Sequence, residues 1–393
     1  MDKKDMHINT TAVHAGQRKD DAFGAINEPI YMTSNYRIPT DGTPVDWSGT
    51  NSNIYQRNRN VNQMVLQDKL CALTGAEDGA VFASGVAALA AVFTTFLNSG
   101  DHAIVSEVCY SATNLLFRKY LPQKYGIEVT LLDTTDTEAV RKAVRPNTKL
   151  IHVETPGNPT TGISDLDAIA EIAHSAGALM SVDATFAGPI SIYPLKHGAD
   201  LEIHSMTKYI NGHGDSLGGC VLGAKELIAE VKELAMVNYG GILSPFNAWL
   251  VARGLVTLPL RMRQHSETAL AVARWLEGCP AVRFVWYPGL ESHPQHDRAV
   301  KLMRGQYSGM IAFDMIGDEK AHERFLDALT LITHAVSLGD VESLIVYYDK
   351  NSDKLPHYPP IYREGFFRFS IGLEDAQDII ADLENAMKAA GVL

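Results

Sequence analysis

The chain has 393 residues, 46% apolar and 20% charged, proportions of a globular protein with room for more than one core. Its 34 basic and 46 acidic side chains leave a formal net charge of −12, and no basic run exceeds two residues. Phosphate backbones are bound by clustered cations, so nucleic acid is set aside as a partner.

Residues 1–5 are polar and carry no apolar leader core, and the longest apolar stretch, 86–97, includes Thr94 and Thr95 and is too short for a bilayer. No membrane association is expected. Residues 1–60 are rich in Asn, Thr and Gly, with little periodicity. A segment of that length without its own core is expected to lie against the body or a partner subunit.

From residue 61 the pattern becomes regular. Residues 80–83 read as a strand and 86–97 as a helix opening after Ser84-Gly85. A strand over 103–108 precedes a helix over 111–120, and a strand over 128–132 precedes a helix over 138–144. Strands at 150–154 and 179–182 flank a helix at 165–176, and a strand at 218–223 leads to a helix at 226–234. This alternation predicts an α/β fold with a mostly parallel central sheet and helices on both faces. From about residue 257 the rhythm changes to a long helix (261–276), strands at 282–286, 310–314 and 366–370, and a last helix at 376–389. That second pattern is a smaller α+β domain. The expected organisation is an N-terminal arm (1–60), an α/β domain (61–256) and a C-terminal α+β domain (257–393).

Lys208 is the most informative residue. The apolar stretch 199–203 delivers Ser205-Met206-Thr207-Lys208, and the apolar stretch 178–182 ends on Asp183. If those strands are neighbours, an amine and a carboxylate face one pocket. A pyridine nitrogen at one end and an aldehyde at the other would satisfy both, which is the layout of pyridoxal 5'-phosphate (PLP). Ser84-Gly85-Val86 opens a helix whose free N–H groups would accept a phosphate, or Ser84 is simply its cap. Ser205 and Thr207 offer two hydroxyls. Tyr55 and Arg57 offer a phenol and a forked cation, or Arg57 is a solvated loop residue. Tyr110 either stacks on an aromatic ring or is a partly buried tyrosine. Asn158 follows a strand end, where loops of α/β folds meet ligands. Arg368 lies in the apolar run 366–369, where it requires an anion, either a substrate carboxylate or a structural Asp.

Other readings are weaker. Ser205-x-x-Lys208 lacks the Ser-Asp-Asn and Lys-Thr-Gly partners of a serine acyl-enzyme. Gly212-His213-Gly214 lacks dinucleotide-loop spacing. Cys71, Cys109, Cys220 and Cys279 are scattered without metal spacing, so no metal and free thiols in a reducing cytoplasm are expected.

With these residues the chain resembles the Cys/Met-metabolism PLP enzymes, which include cystathionine γ-lyase, cystathionine γ-synthase, methionine γ-lyase and O-acetylhomoserine sulfhydrylase. The likeness runs from Thr11-Ala12-Val13-His14-Ala15-Gly16 to Ser370-Ile371-Gly372-Leu373-Glu374-Asp375. Its most specific segments are His204-Ser205-Met206-Thr207-Lys208-Tyr209-Ile210-Asn211-Gly212-His213 and Ser337-Leu338-Gly339-Asp340. The resemblance implies PLP fold type I, aspartate aminotransferase-like, and a cytoplasmic homotetramer of two active dimers. It implies that Lys208 carries the cofactor as a Schiff base and shuttles protons, while Asp183 holds the pyridine nitrogen protonated. Gly85, Val86, Ser205 and Thr207 would bind phosphate, joined by Tyr55 and Arg57 of a neighbouring subunit. Tyr110 would stack on the ring and move protons, and Asn158, Ser337 and Arg368 would fix the carboxylate of a small amino-acid substrate.

The chain departs from that family at several points. Ala184 replaces the Asn after the Asp, and Tyr55-Gln56-Arg57-Asn58-Arg59-Asn60-Val61-Asn62 replaces a Tyr-Thr-Arg-x-Gly-Asn-Pro-Thr pattern. Ala112 stands where methionine γ-lyases carry a cysteine. Residues 346–358 replace a Pro-Ala-x-Met-Thr-His-like pocket segment. The expected chemistry is γ-elimination or γ-replacement on a homoserine skeleton. Tyr347, Tyr348, Asp349 and Asp353 in the atypical segment suit a polar or cationic side chain, with canavanine the favoured substrate and hydroxyguanidine its leaving group. Cystathionine, an O-acylhomoserine and methionine are the alternatives, and a PLP-fold protein that binds without catalysis is the reading from another class.

Overall fold

The computed structural model describes residues 6–18, 22–47, 52–352 and 355–393. The polar start at 1–5 and Asp353 therefore lie outside the described residues.

Seven strands form the larger sheet: β1 (Asp78–Phe82), β2 (His102–Ser106), β3 (Glu128–Leu132), β4 (Thr148–Glu154), β5 (Leu179–Asp183), β6 (Leu201–Ser205) and β7 (Gly219–Gly223). Their order is β1-β7-β6-β5-β4-β2-β3, parallel except for β7, which runs against both neighbours. Successive residues feed opposite faces. Ala103, Val105, Leu150 and Ile203 join one core with the helix Gly85–Phe96. Ile104, Ile151, Val153 and Val182 join another with the helix Leu166–Ser175. A sheet covered on both sides needs no polar alternation, which is why these strands read as continuous apolar runs.

The expected helix over 111–120 differs in shape. It runs as Ser111–Leu115, a wide π-type turn Leu116–Tyr120 and Leu121–Tyr125. Pro122 lacks the N–H that would bond one turn back, so the ladder loosens just before it.

A second sheet follows the helix Leu258–Gly278: β8 (Val282–Trp286), β9 (Met310–Met315), β10 (Thr333–His334), β11 (Leu344–Tyr348) and β12 (Phe366–Ser370), ordered β10-β11-β12-β9-β8. β11 lies partly within the atypical segment and pairs antiparallel with β12, Val346 opposite Arg368.

The long helix is tied to the chain just after Lys208 by one buried side chain. Arg261, 5% exposed, donates to the carbonyls of Tyr209 (2.7 Å), Ile210 (3.3 Å) and Gly254 (2.9 Å) and to Thr257 Oγ1 (3.1 Å). Gly212, at φ +67°, leaves room for that guanidinium where any Cβ would collide with it. Arg261→Met should strand three carbonyls and cost about 3 kcal/mol, read as a lower melting midpoint. An unchanged midpoint would remove Arg261 as the tie.

Candidate active site

A cavity of about 470 Å³ opens at the carboxyl ends of β4, β5 and β6, where open α/β sheets receive ligands. Its wall includes Ser84, Gly85 and Val86 on one side and Ser205, Thr207 and Lys208 on another. Tyr110, Asn158, Asp183, Ser337 and Arg368 complete the set of expected residues brought together there.

Ser84 caps the helix Gly85–Phe96, its Oγ accepting the Ala87 N–H at 3.1 Å. That hydroxyl is thus engaged as a cap, while Gly85 and Val86, the first residues of the helix, line the cavity. Gly85 lies so close to β6 that a Cβ would come within 2.7 Å of the Ser205 Cβ, and one on Gly219 would enter the Ser84 carbonyl. The close approach brings the helix N-terminus and the Ser205 and Thr207 hydroxyls to one place, a cradle for an anion.

Asp183 is buried, and its Oδ1 accepts the Thr185 hydroxyl (2.6 Å) and N–H (3.0 Å). Thr185 Oγ1 in turn accepts the Ser205 N–H at 2.9 Å. Burial pushes the Asp183 carboxyl above its ordinary range, and the two Thr185 donors act against that push. Thr185 was not anticipated. An Asp-x-Thr turn immediately after a strand was the available signal.

Lys208 Nζ donates to Ser337 Oγ at 2.8 Å. Burial first, and then the charge of Arg368, pull the amine down to about 8. Ser337 sits at φ +89°, a strained backbone for a residue with a Cβ, at the point where it meets both cations. Its carbonyl accepts Arg368 Nη2 at 2.8 Å, while Arg368 Nη1 donates to Asn158 Oδ1 at 3.2 Å. Arg368 is 7% exposed and its Nε has no partner among the described residues. No structural Asp is found pairing with it there. A buried guanidinium held by neutral acceptors, with a free donor, is built for a carboxylate brought by a ligand.

The other expected residues lie elsewhere. Tyr55 is 43% exposed beneath the Arg57 guanidinium, 5.1 Å from its ring centre, and neither residue lines this chain's own cavity. Two expected residues of the atypical segment, Tyr347 and Asp349, lie away from the cavity. The Tyr347 hydroxyl meets His322 Nδ1 at 2.8 Å and its ring packs on Phe367 in the core of the second sheet. Asp349 accepts the Asn351 N–H in a turn. Neither lines the cavity, because side chains alternate along a strand: Val346 and Tyr348 share the Arg368 side of β11 and β12, and Tyr347 faces away. Tyr348, stacked on Phe366 at 5.0 Å, and Tyr358 form the wall instead.

A model of the Cys/Met metabolism PLP-dependent enzyme family matches residues 9–388. The chain belongs to that family. It is 51% identical over 385 residues to a canavanine γ-lyase of Rhizobium leguminosarum bv. trifolii, covering 97% of this chain and 96% of the relative. It is 47% identical to a canavanine γ-lyase of Pseudomonas canavaninivorans, covering 96% and 95%, and 40% identical to the cystathionine γ-lyase of Bacillus subtilis, covering 98% and 100%. Among solved structures it superposes on metB from Corynebacterium glutamicum with a TM-score of 0.90 at 37% identity, covering 99% of each chain.

The enzyme is PLP-dependent, and the cavity fits the cofactor by its chemistry: an amine of lowered basicity, a buried carboxylate, and an anion cradle at a helix N-terminus. Only a neutral amine adds to an aldehyde. PLP uptake by apoprotein should therefore accelerate as pH rises through about 8. Arg368→Gln removes a neighbouring positive charge and should move that midpoint upward. Borohydride trapping and peptide mass spectrometry check both, and label away from Lys208 would refute the assignment.

Proposed function

We propose that this enzyme breaks the Cγ–O bond of canavanine, releasing hydroxyguanidine from a homoserine skeleton. The observation that carries this reading is the 51% and 47% identity to two canavanine γ-lyases over nearly the whole chain. The cavity's chemistry agrees with it. Tyr348 and Tyr358 present aromatic faces beyond the Arg368 clamp, a surface suited to a planar guanidino group. Ala112, where methionine γ-lyases carry a cysteine, disfavours a thioether substrate.

Bound PLP would supply an electron sink for charge developing at Cα. The residues do the rest. Arg368, with its unpartnered Nε and its Asn158 and Ser337 contacts, takes the α-carboxylate. Lys208 Nζ, steered by Ser337 Oγ, would take the Cα proton and then a proton from Cβ, whose electrons expel the oxygen from Cγ. Asp183, fixed by Thr185, would hold the pyridine nitrogen protonated when the cofactor is bound. Tyr110, whose phenol is exposed to the cavity, delivers a proton to the departing oxygen. Adding water to the four-carbon fragment gives homoserine, or 2-oxobutanoate and ammonia; either route balances against hydroxyguanidine.

The functional unit we propose is a cytoplasmic homotetramer of two active dimers. The segment 1–60 would be an arm whose Tyr55 and Arg57 reach a neighbour's phosphate. Phe23 and Ile26, each 93% exposed, and Trp47 at 71% are apolar surfaces that such packing would cover. Four free cysteines suit a reducing compartment.

Canavanine, cystathionine, methionine and O-acetylhomoserine should be compared by kcat/KM, with hydroxyguanidine, homoserine and keto acid quantified. Canavanine should lead by about 100-fold; a lead by methionine or cystathionine would overturn the assignment. Tyr358→Leu should raise the canavanine KM roughly five- to tenfold through loss of an aromatic face. An unchanged KM would take Tyr358 out of recognition.

A further inference from the structure

Glu154 carries chemistry that neither its motif nor the resemblance singled out. It ends β4 in register with Asp183, the last residue of β5, and is 5% exposed. Its carboxylate is bonded by two backbone N–H groups, Tyr110 to Oε2 at 2.7 Å and Asn158 to Oε1 at 2.8 Å. Among the described residues no cation is found paired with it. Burial, and after it the charge of Asp183, push its carboxyl well above the usual range. A buried acid in that setting is a costly choice for filling space.

The two N–H groups explain the choice. Tyr110 stands at the entrance to the helix Ser111–Leu115, and its amide fixes where the phenol enters the cavity. Asn158 carries the Oδ1 that accepts Arg368 Nη1 at 3.2 Å. The two strand-end loops therefore meet on one carboxylate. Glu154 also walls a second cavity of about 200 Å³, lined by Ser106, Thr134 and Ser164 among others. A shortened side chain would join the two spaces, so the informative replacement keeps the volume.

We infer that Glu154 is a positioning residue that sets the Tyr110 wall against the Asn158–Arg368 clamp through a pair of backbone N–H bonds. This rests on the reading that the clamp takes the substrate's α-carboxylate. It does not depend on which side chain is expelled.

Glycine, an amino acid with no leaving group, separates the two questions. Glu154→Gln keeps the shape but presents one acceptor and one NH2, so it can serve only one of the two N–H groups. The PLP-loaded variant should melt within a few degrees of wild type and retain its cofactor content, yet bind glycine about tenfold more weakly by spectral titration. Glu154→Asp keeps both acceptors but pulls them back by a methylene, and should weaken glycine binding by a smaller factor, about threefold. It serves as the second reading should the Gln variant fail to fold. Wild-type glycine affinity in either folded variant would overturn the inference, as would affinity lost only in step with cofactor content. Failure on canavanine with glycine results as expected would sink the substrate assignment and leave Glu154 in place.

Discussion

The site depends on two neighbouring parallel strands ending at the same edge. β5 and β6 pair with Asp183 opposite Ile203, so β5 stops on an acid while β6 runs two residues further to Ser205, with Lys208 three residues beyond. The pairing is enforced by side chains that have no room to shift. Val182 and Ile203 are fully buried on opposite faces, and a slip of one residue would exchange the faces of the whole strand. Thr185 then bridges the strand ends, donating to Asp183 while accepting from the Ser205 amide. Position of the acid and position of the anion cradle are thus one constraint, not two.

From that edge outward, the second sheet supplies what the first lacks. β12 carries Arg368 to the cavity, and the loop before β11 carries Ser337 to Lys208. These residues come from more than a hundred positions downstream, so their meeting requires the two sheets to be held in fixed relation. Arg261 contributes to that, and so does Tyr209, the residue after Lys208: its hydroxyl accepts the Gly309 N–H at 3.0 Å just before β9. The strained Ser337 backbone is the cost of meeting both cations at once.

Much of this was legible in the chain because the signals were local. A short polar run after an apolar strand marks Lys208, and a strand closing on Asp marks position 183. The alternation of strands and helices gave the parallel sheet. What escaped had physical reasons. Glu154 acts on backbone N–H groups, which leave no residue-type signature. Tyr347 was grouped with its neighbours by composition, whereas the antiparallel pairing of Val346 with Arg368 sorts the strand by parity and turns Tyr347 toward His322. The wide turn at Leu116–Tyr120 arises from Pro122, which the helical periodicity around it masked. Tyr55 and Arg57 lie away from this chain's own cavity; their assignment to a neighbouring subunit comes from the resemblance, because a single sequence holds no direct sign of a second copy.

The charges in the cavity are arranged by sign, like beside like. Burial first, and then Arg368, holds Lys208 down; burial first, and then Asp183, holds Glu154 up. In a protein built only for stability such pairs would be mixed, each cation against an acid, because like-charged neighbours in a poorly solvated site repel strongly. Here the relief has to come from outside. On the proposed function, a protonated ring nitrogen would meet the acid end, and a carboxylate would meet the guanidinium with the unpartnered Nε. Each ligand group would then land where its own charge is missing, so that binding removes repulsion as well as adding contacts. The same polarity would orient a zwitterionic amino acid before any bond changes, with the Arg368, Lys208 and Asp183 groups already held by Asn158, Ser337 and Thr185. On the proposed function, substrate discrimination would fall to the part of the wall that carries no charge, Tyr348 and Tyr358. That is where this chain departs most from the family pattern.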